Sequence, residues 1–213
     1  ADLLALSGGG DGGAYGAGLL AGWSRTGRRP DFVLVSGIST GGLIAPFAFL
    51  GARYDPLLEA FYTRTPREQI VRTRHFLSAV TNDAIEDTGP LRQLIVRFVT
   101  RELLDEIAAE YARGRQLWIS TVNLDARRRV IWNMTRIAAS RDPRALELFH
   151  DVMIASAAIP GAFPPVMVDV EAAGRRYQEM HVDGGAMAQV FVYPPALRLA
   201  ELSTARGATR ERN

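Results

Sequence analysis

The feature that most constrains this chain is a Gly-x-Ser-x-Gly pentapeptide, residues 37–41, set between two apolar segments. Before it, residues 32–36 read Phe-Val-Leu-Val-Ser, a continuous β-prone run that predicts a buried strand. After it, residues 41–50 are apolar with helical character. A random chain of this composition would contain the pentapeptide about 0.08 times, before the strand and helix are required. The sequence therefore predicts a strand, a tight turn and a helix around one serine.

Ser39 is the residue that such a turn presents. The turn forces the serine into a strained backbone conformation, and side chains at the flanking positions would collide, so Gly37 and Gly41 are required there. The hydroxyl is then held at a helix N-terminus, as in the nucleophile elbow of serine hydrolases. We predict that Ser39 is a nucleophile; the alternative is a Gly-rich structural turn.

A second glycine cluster follows the first apolar run, residues 3–7, and precedes a helical segment at 13–26. Its members are Gly8, Gly9, Gly10, Asp11, Gly12 and Gly13. Their spacing also fits a dinucleotide-binding loop, which needs an acidic residue near the end of the second strand. Asp31 precedes that strand, and the strand's carboxyl end is occupied by Ser39. The pattern instead favours an oxyanion hole, in which each amide donor typically contributes about 3 kcal/mol to the transition state.

A serine nucleophile needs a base, and histidine is the usual one. His75 and His150 have no motif around them, and we expect them to be surface or satisfied core residues. His181 stands two residues before Asp183 on a predicted strand and so shares a face with it. The α/β-hydrolase order places the catalytic histidine on a loop after the last strand, and no histidine follows residue 181 in this sequence. This order favours a structural role for His181. A triad of Ser39, His181 and an acid stays open as the alternative.

Asp183 is the better candidate for the base. With Gly184 and Gly185 it forms an Asp-Gly-Gly motif directly after a predicted strand. This places a carboxylate at the sheet edge with unobstructed backbone behind it. The alternative is an ordinary Asp-Gly turn.

The rest of the chain predicts further helices and hairpins. Helical spacing indicates one long amphipathic helix from Pro90 to about Gly114, while residues 55–82 remain unassigned. The remaining predicted elements are a strand pair at 116–123 and 129–134, a helix at 146–158, and a second strand pair at 166–170 and 177–182. Early alternation of strands and helices with later hairpins predicts a mixed three-layer α/β fold.

Composition excludes several functional classes. The chain has 213 residues and no cysteine, which removes disulfides, thiolate zinc sites and cysteine nucleophiles. All basic residues are arginine, and the net charge of +2 does not indicate nucleic-acid binding. No apolar stretch reaches the roughly 18 residues that span a bilayer, and no signal-peptide pattern is present. We expect no cofactor and no metal; for localisation we favour the cell envelope or the membrane periphery, with the cytoplasm as the alternative.

Together these motifs resemble the patatin-like phospholipase family over essentially the whole chain, including an Ala-Ser segment at 155–160 that precedes the Asp-Gly-Gly strand. The resemblance implies a three-layer α/β/α sandwich with a mostly parallel central sheet. It also implies a dyad in which Asp183 activates Ser39 directly, without imidazole. Members are lipid acyl hydrolases, so a lipid or phospholipid substrate, an acyl-serine intermediate and peripheral membrane contact are implied.

One departure from the family pattern stands at Gly12, where the oxyanion loop usually carries a basic residue. This leaves a catalytically weak lipid-binding pseudoenzyme as a second functional class. We expect residues 1–213 to form a single catalytic domain that is truncated at both ends. The apolar candidates for an acyl channel or rim are Phe47, Phe49, Phe61, Phe191 and Tyr193. For any single one of them we expect a position in the hydrophobic core instead.

Overall fold

The computed structural model describes residues 2–10, 12–63 and 88–192. The strands in this part of the chain are β1 (Leu3–Leu6), β2 (Leu34–Ile38), β3 (Gln116–Asn123), β4 (Arg128–Asn133), β5 (Val166–Ala172) and β6 (Arg175–Asp183). The α-helices are α1 (Gly12–Arg25), α2 (Thr40–Leu50), α3 (Asp55–Thr63), α4 (Gly89–Phe98), α5 (Arg101–Ala112), α6 (Met134–Ala139) and α7 (Ala145–Ala157). Short 3₁₀ turns lie at Ala52–Tyr54 and Gly184–Ala186.

The described strands form one six-stranded sheet. β1, β2 and β3 are parallel neighbours, whereas β4 and β6 pair antiparallel with β3, and β5 pairs antiparallel with β6. Helices pack on this sheet, and the predicted α/β fold is confirmed. Both predicted strand pairs are hairpins, β3–β4 and β5–β6.

The register of β3 brings the carboxyl ends of two strands together. Ile119 pairs with β2 and with β4, and Val122 pairs with β4 and with β6. Because a strand has only two edges, β2 and β6 share the edge opposite β4. β2 runs parallel to β3 and β6 runs antiparallel to it, so the two strands point at each other along that edge.

The meeting point of β2 and β6 is fixed to one residue. Ser120 is paired with Ile38, the last residue of β2, and the next residue, Thr121, is paired with Asp183, the last residue of β6. Ser39 follows Ile38 directly. The register therefore delivers Ser39 and Asp183 to the same place in the sheet.

The two faces of the sheet have different coverings. Val35 and Leu117 lie in the main hydrophobic core, which also contains buried side chains of the helices. On the other face Leu34, Ile38 and Trp118 pack with Phe191, which belongs to the segment that follows β6. This alternation is the period of two expected of strands buried on both sides.

Helix α2 is enclosed by the rest of the protein. Every residue from Thr40 to Leu50 is buried, and the helix lies against β2, β3 and α7. An all-round apolar helix of this kind has no solvent-facing side. Ser39, the N-cap of this helix, is 7% exposed and is therefore positioned by an element that packing fixes in place.

The prediction of a single long helix after Pro90 is wrong. The structure has two helices, α4 and α5, because Thr100 leaves the helical conformation, with φ −92° and ψ 176°. The Thr100 hydroxyl accepts a hydrogen bond from the N–H of Leu103 at 3.5 Å. A threonine in this position caps a new helix, and the apolar spacing continues across the break.

None of the helices in the described part of the chain combines the length and the hydropathy that a membrane-spanning helix needs.

Arg115 joins the beginning of β2 to the end of α2. Its Nε donates to the Phe32 carbonyl at 2.8 Å, and its guanidinium also donates to the Phe49 carbonyl and lies 4.4 Å over the Phe49 ring. Nη1 donates to Glu110 at 2.8 Å. The arginine is 7% exposed, so the strand and helix that flank Ser39 are fastened by a buried cation.

We predict that Arg115→Met lowers the free energy of unfolding by about 3 kcal/mol, because it leaves Glu110 and two carbonyls without their buried partner. Chemical denaturation measures the change. The matched control is Arg113→Met, since Arg113 bonds the same carboxylate at 2.6 Å from a side chain that is 71% exposed. The control should cost less than about 1 kcal/mol. Equal losses in the two variants would contradict the role given to Arg115.

Candidate active site

Ser39 has the geometry of a nucleophile elbow. Its φ of 54° and ψ of −129° lie where residues with a Cβ are rarely found, and it is the N-cap of α2. A Cβ on Gly37 would overlap the Gly41 carbonyl, and a Cβ on Gly41 would overlap the Leu6 carbonyl. The turn therefore needs glycine on both sides of the serine for steric reasons.

Asp183 lies close to Ser39 at the end of β6, because consecutive residues of β3, Ser120 and Thr121, pair with Ile38 and Asp183. The Asp183 carboxylate accepts a hydrogen bond at 2.6 Å from the N–H of Gly185, which orients it. At Gly184 a Cβ would lie 2.5 Å from the Ser120 carbonyl oxygen, so the residue that follows the strand must be glycine.

The carboxyl group of Asp183 is largely withdrawn from water, since the residue is only 4% exposed. Burial raises the pKa of Asp183 above its ordinary value of 3.8, and the Ser39 side chain and the Gly185 N–H oppose this effect in part. A carboxylate with a raised pKa is a stronger base than an exposed one. The surroundings of Asp183 therefore make its carboxylate more basic than an exposed one.

The end of α7 holds both residues by their backbones. The Ser39 N–H donates to the Ser156 hydroxyl at 2.9 Å, and the Asp183 N–H donates to the Ala158 carbonyl at 2.9 Å. The Ser156 hydroxyl donates in turn to the Ser120 carbonyl at 2.8 Å, and Ser156 is fully buried. One short segment thus fixes the two side chains relative to each other and to β3.

Ser156 was not among the predicted site residues. The signal available in the sequence was the Ala-Ser segment, which lies at the end of a predicted helix and precedes the Asp-Gly-Gly strand. A serine inside an apolar helix end is a candidate for a buried hydrogen bond, because its hydroxyl must be satisfied there. The sequence does not say which backbone group it contacts.

The glycine loop between β1 and α1 lies beside Ser39. A Cβ on Gly8 would be 3.1 Å from the Ser39 Cβ, and the Thr40 hydroxyl donates to the Gly10 carbonyl at 2.8 Å. At Gly13 a Cβ would overlap the Thr40 methyl group. The loop can approach the elbow this closely only because these residues are glycine.

The amides of this loop differ in their hydrogen bonding. Gly8 donates to the Gln189 carbonyl at 3.2 Å, Gly12 to that of Gly9 at 2.9 Å and Gly13 to that of Gly10 at 3.1 Å. No described residue accepts a hydrogen bond from the N–H of Gly9 or Gly10. Asp11 lies outside the described residues. At Gly12 a Cβ would meet nothing within 4 Å, so the space for a side chain is present there.

Both ring nitrogens of His181 lie within hydrogen-bonding distance of side chains other than Ser39. Its Nδ1 lies 2.8 Å from the Thr121 hydroxyl and its Nε2 lies 3.2 Å from a Glu179 carboxylate oxygen. The Trp132 indole N–H donates to the same Thr121 hydroxyl at 2.8 Å, so that hydroxyl can donate to Nδ1 while Nε2–H donates to Glu179. Burial lowers the pKa of His181, despite the neighbouring Glu179. This arrangement supports a structural role.

The other histidines and the aromatic candidates do not join the site. His150 is buried, and its Nε2 lies 2.7 Å from the Val99 carbonyl, as expected of a satisfied core residue; His75 lies outside the described residues. The expectation that the phenylalanines are core residues is confirmed for Phe47, Phe49, Phe61 and Phe191, whereas Tyr193 lies outside the described residues. Among the described residues, no cluster of three or more His, Asp or Glu side chains is placed to hold a metal.

A family model for patatin-like phospholipases matches residues 4–195. The chain belongs to the patatin-like phospholipase family. This family is one of lipid acyl hydrolases. A comparison with curated proteins found no match.

Among solved structures, the patatin-like chain is similar to the crystal structure of VipD from Legionella pneumophila, with 13% identity and a TM-score of 0.45. The match covers 92% of this chain and 48% of that chain. The chain therefore spans about half the length of this solved structure.

We predict that Ser156→Ala lowers kcat on ester substrates by about 10- to 100-fold with little change in KM, because a small misplacement of a reacting group is enough for such a loss. The measurement is steady-state kinetics on a soluble ester. Ser156→Ala also leaves the Ser120 carbonyl without its donor, so the thermal midpoint should fall. The matched control is Ser140→Ala, an exposed serine that bonds the Ile137 carbonyl at 2.7 Å. An unchanged kcat in Ser156→Ala would contradict a positioning role.

Proposed function

We propose that this chain is a lipid acyl hydrolase of the phospholipase A or lipase type that acts through a Ser39–Asp183 dyad. The observation that carries the proposal is the strand register, which brings Ser39 and the buried Asp183 to neighbouring positions on β3. The pKa of the Asp183 carboxyl is raised by burial, and the Ser39 side chain opposes this effect in part, which supports their proximity. Both members of the dyad come from ends of strands that share one edge of β3. Within the described part of the chain, the histidine nearest to Asp183 in sequence, His181, bonds Thr121 and Glu179 instead.

In the proposed first step, the Ser39 oxygen attacks the acyl carbonyl carbon while its proton passes to Asp183. The carbonyl oxygen becomes an oxyanion, and the new tetrahedral centre collapses as the ester's alcohol leaves with the proton from Asp183. The product on the enzyme is an acyl-serine. Water then attacks the acyl carbon while Asp183 takes one of its protons. The second tetrahedral centre collapses, the fatty acid leaves, and Asp183 returns the proton to the Ser39 oxygen, which restores both residues.

The oxyanion is proposed to bind in the glycine loop, residues 8–13, on the side that faces Ser39. The backbone amides of Gly9 and Gly10 are the best candidates for donors to the oxyanion, since their N–H groups have no acceptor among the described residues. The N–H of Thr40, as the first residue of α2, is a further candidate because the first amides of a helix lack intrahelical acceptors. The family's basic residue is replaced by Gly12, so this proposal assigns charge stabilisation to backbone amides alone.

We expect Ser39→Ala and Asp183→Asn each to lower kcat/KM on ester substrates by at least about 1,000-fold, the scale seen when a nucleophile or its base is removed from a serine hydrolase. Release of fatty acid from phospholipid and of nitrophenol from p-nitrophenyl butyrate are the measurements. A fluorophosphonate should label Ser39 in the parent chain and not in Ser39→Ala. Asp169→Asn, on the exposed part of β5, is the matched control.

Thermal unfolding separates loss of chemistry from loss of fold in these variants. The folded-state pKa of Asp183 is raised, so its ionisation is penalised on folding and stability falls as pH rises through that range. Asp183→Asn removes this penalty and keeps an oxygen for the Gly185 N–H. Its thermal midpoint at neutral pH should equal or exceed that of the parent. A folded Asp183→Asn variant with parental activity would exclude the dyad.

The pH profile of kcat/KM tests the identity of the base. Activity needs the Asp183 carboxylate, so it should fall as pH is lowered, with a midpoint above 3.8 because burial raises the pKa. His181→Gln should leave this midpoint in place. A limb that disappears in His181→Gln would assign proton transfer to imidazole and reject the dyad.

A further inference from the structure

Helix α1 carries an exposed apolar stripe. Tyr15 is 76% exposed, Leu19 59% and Trp23 38%. Their spacing of four residues puts the three side chains on one face of the helix. Ala17 and Leu20 on another face are buried in the main core. The helix is therefore anchored on one side and presents aromatic and aliphatic side chains on the other.

Exposed arginines follow the α1 stripe. Within residues 12–30, between Asp11 and Asp31, the charged side chains are all arginine, and Arg25 and Arg28 are exposed at the end of α1 and just beyond it. Tyrosine, tryptophan and leucine next to exposed arginines are the composition of helices that lie in the interface of an anionic bilayer.

The stripe begins close to the candidate active site. α1 starts directly from the glycine loop, whose Gly8 N–H is bonded to the Gln189 carbonyl. The segment that carries Gln189 also exposes Met187, at 56%, and Val190, at 49%. Met187 and Val190 thus lie in a segment bonded to the glycine loop, and α1 with its stripe continues from the other end of that loop.

We propose that the α1 stripe, Tyr15, Leu19 and Trp23, docks the protein on an anionic lipid surface, with Arg25 and Arg28 contacting the headgroup phosphates. The inference rests on the proposed function for its choice of a lipid occupant, because an acyl ester substrate must be taken from such a surface. Docking through α1 brings the glycine loop, and with it Ser39, to the lipid. The other possible occupant, a second copy of this chain, is tested as an outcome below.

The test is cosedimentation of the Ser39→Ala chain, which does not hydrolyse the probe in the proposed mechanism, with vesicles of phosphatidylcholine alone or with phosphatidylglycerol. The Tyr15→Gln and Leu19→Gln double substitution should weaken partitioning onto mixed vesicles by about tenfold or more, given the apolar area that two such side chains bury. The Arg25→Gln and Arg28→Gln double substitution should remove the preference for anionic vesicles. Val96→Gln is the matched control, because Val96 on α4 is 49% exposed.

Each result decides the proposal. Unchanged partitioning in the Tyr15 and Leu19 variant, or an equal loss in Val96→Gln, overturns it. A parent chain that is dimeric by light scattering and becomes monomeric in that variant also overturns it, and assigns the stripe to a second copy. The same substitutions are also made in the chain that keeps Ser39. They should leave hydrolysis of soluble p-nitrophenyl butyrate unchanged, because this substrate does not require docking. Absence of this hydrolysis in the parent would reject the proposed function while stripe-dependent vesicle binding would still support the docking surface.

Discussion

The site depends on one feature of strand pairing: β2 and β6 use the same edge of β3 and run toward each other. Parallel pairing carries Ser39 to this point from one direction, and antiparallel pairing carries Asp183 to it from the other. Because Ser120 and Thr121 are consecutive, a shift of one residue in either register would move a reacting group by about 3 Å and turn its side chain to the other face. The proximity of Ser39 and Asp183 is thus a consequence of backbone register.

Several elements preserve that register. The end of α7 binds the backbones of Ser39 and Asp183, and Arg115 fastens the far ends of β2 and α2. Glycines are placed where two backbones approach too closely for a Cβ, as at Gly41 against β1 and Gly184 against β3. Burial of Asp183 raises the pKa of its carboxyl group, so the enclosure that makes its charge costly to the fold also strengthens it as the base of the proposed dyad.

The sequence predicts local features of the site well, because glycine requirements and strand-to-helix turns are encoded by neighbours in the chain. The elbow at Ser39 and the turn after Asp183 are of this kind. Contacts set by tertiary packing were not predicted: Ser156 became visible only with the register of α7 against β3. Thr100 was missed because apolar spacing continues across the break between α4 and α5, while the cap depends on one hydroxyl. The α1 stripe was missed because exposure is a property of the packed molecule.

The pairing of β3 with β6 extends over only three residue pairs, whereas β5 and β6 share seven. The β5–β6 hairpin is therefore held more tightly within itself than to the rest of the sheet. During synthesis the amino-terminal half, with Ser39, leaves the ribosome long before this hairpin. Until the hairpin docks, the serine has no carboxylate beside it. In the proposed mechanism, a nascent or partly opened chain would be inert toward the cell's own lipids, and activity would appear only with completion of the sheet.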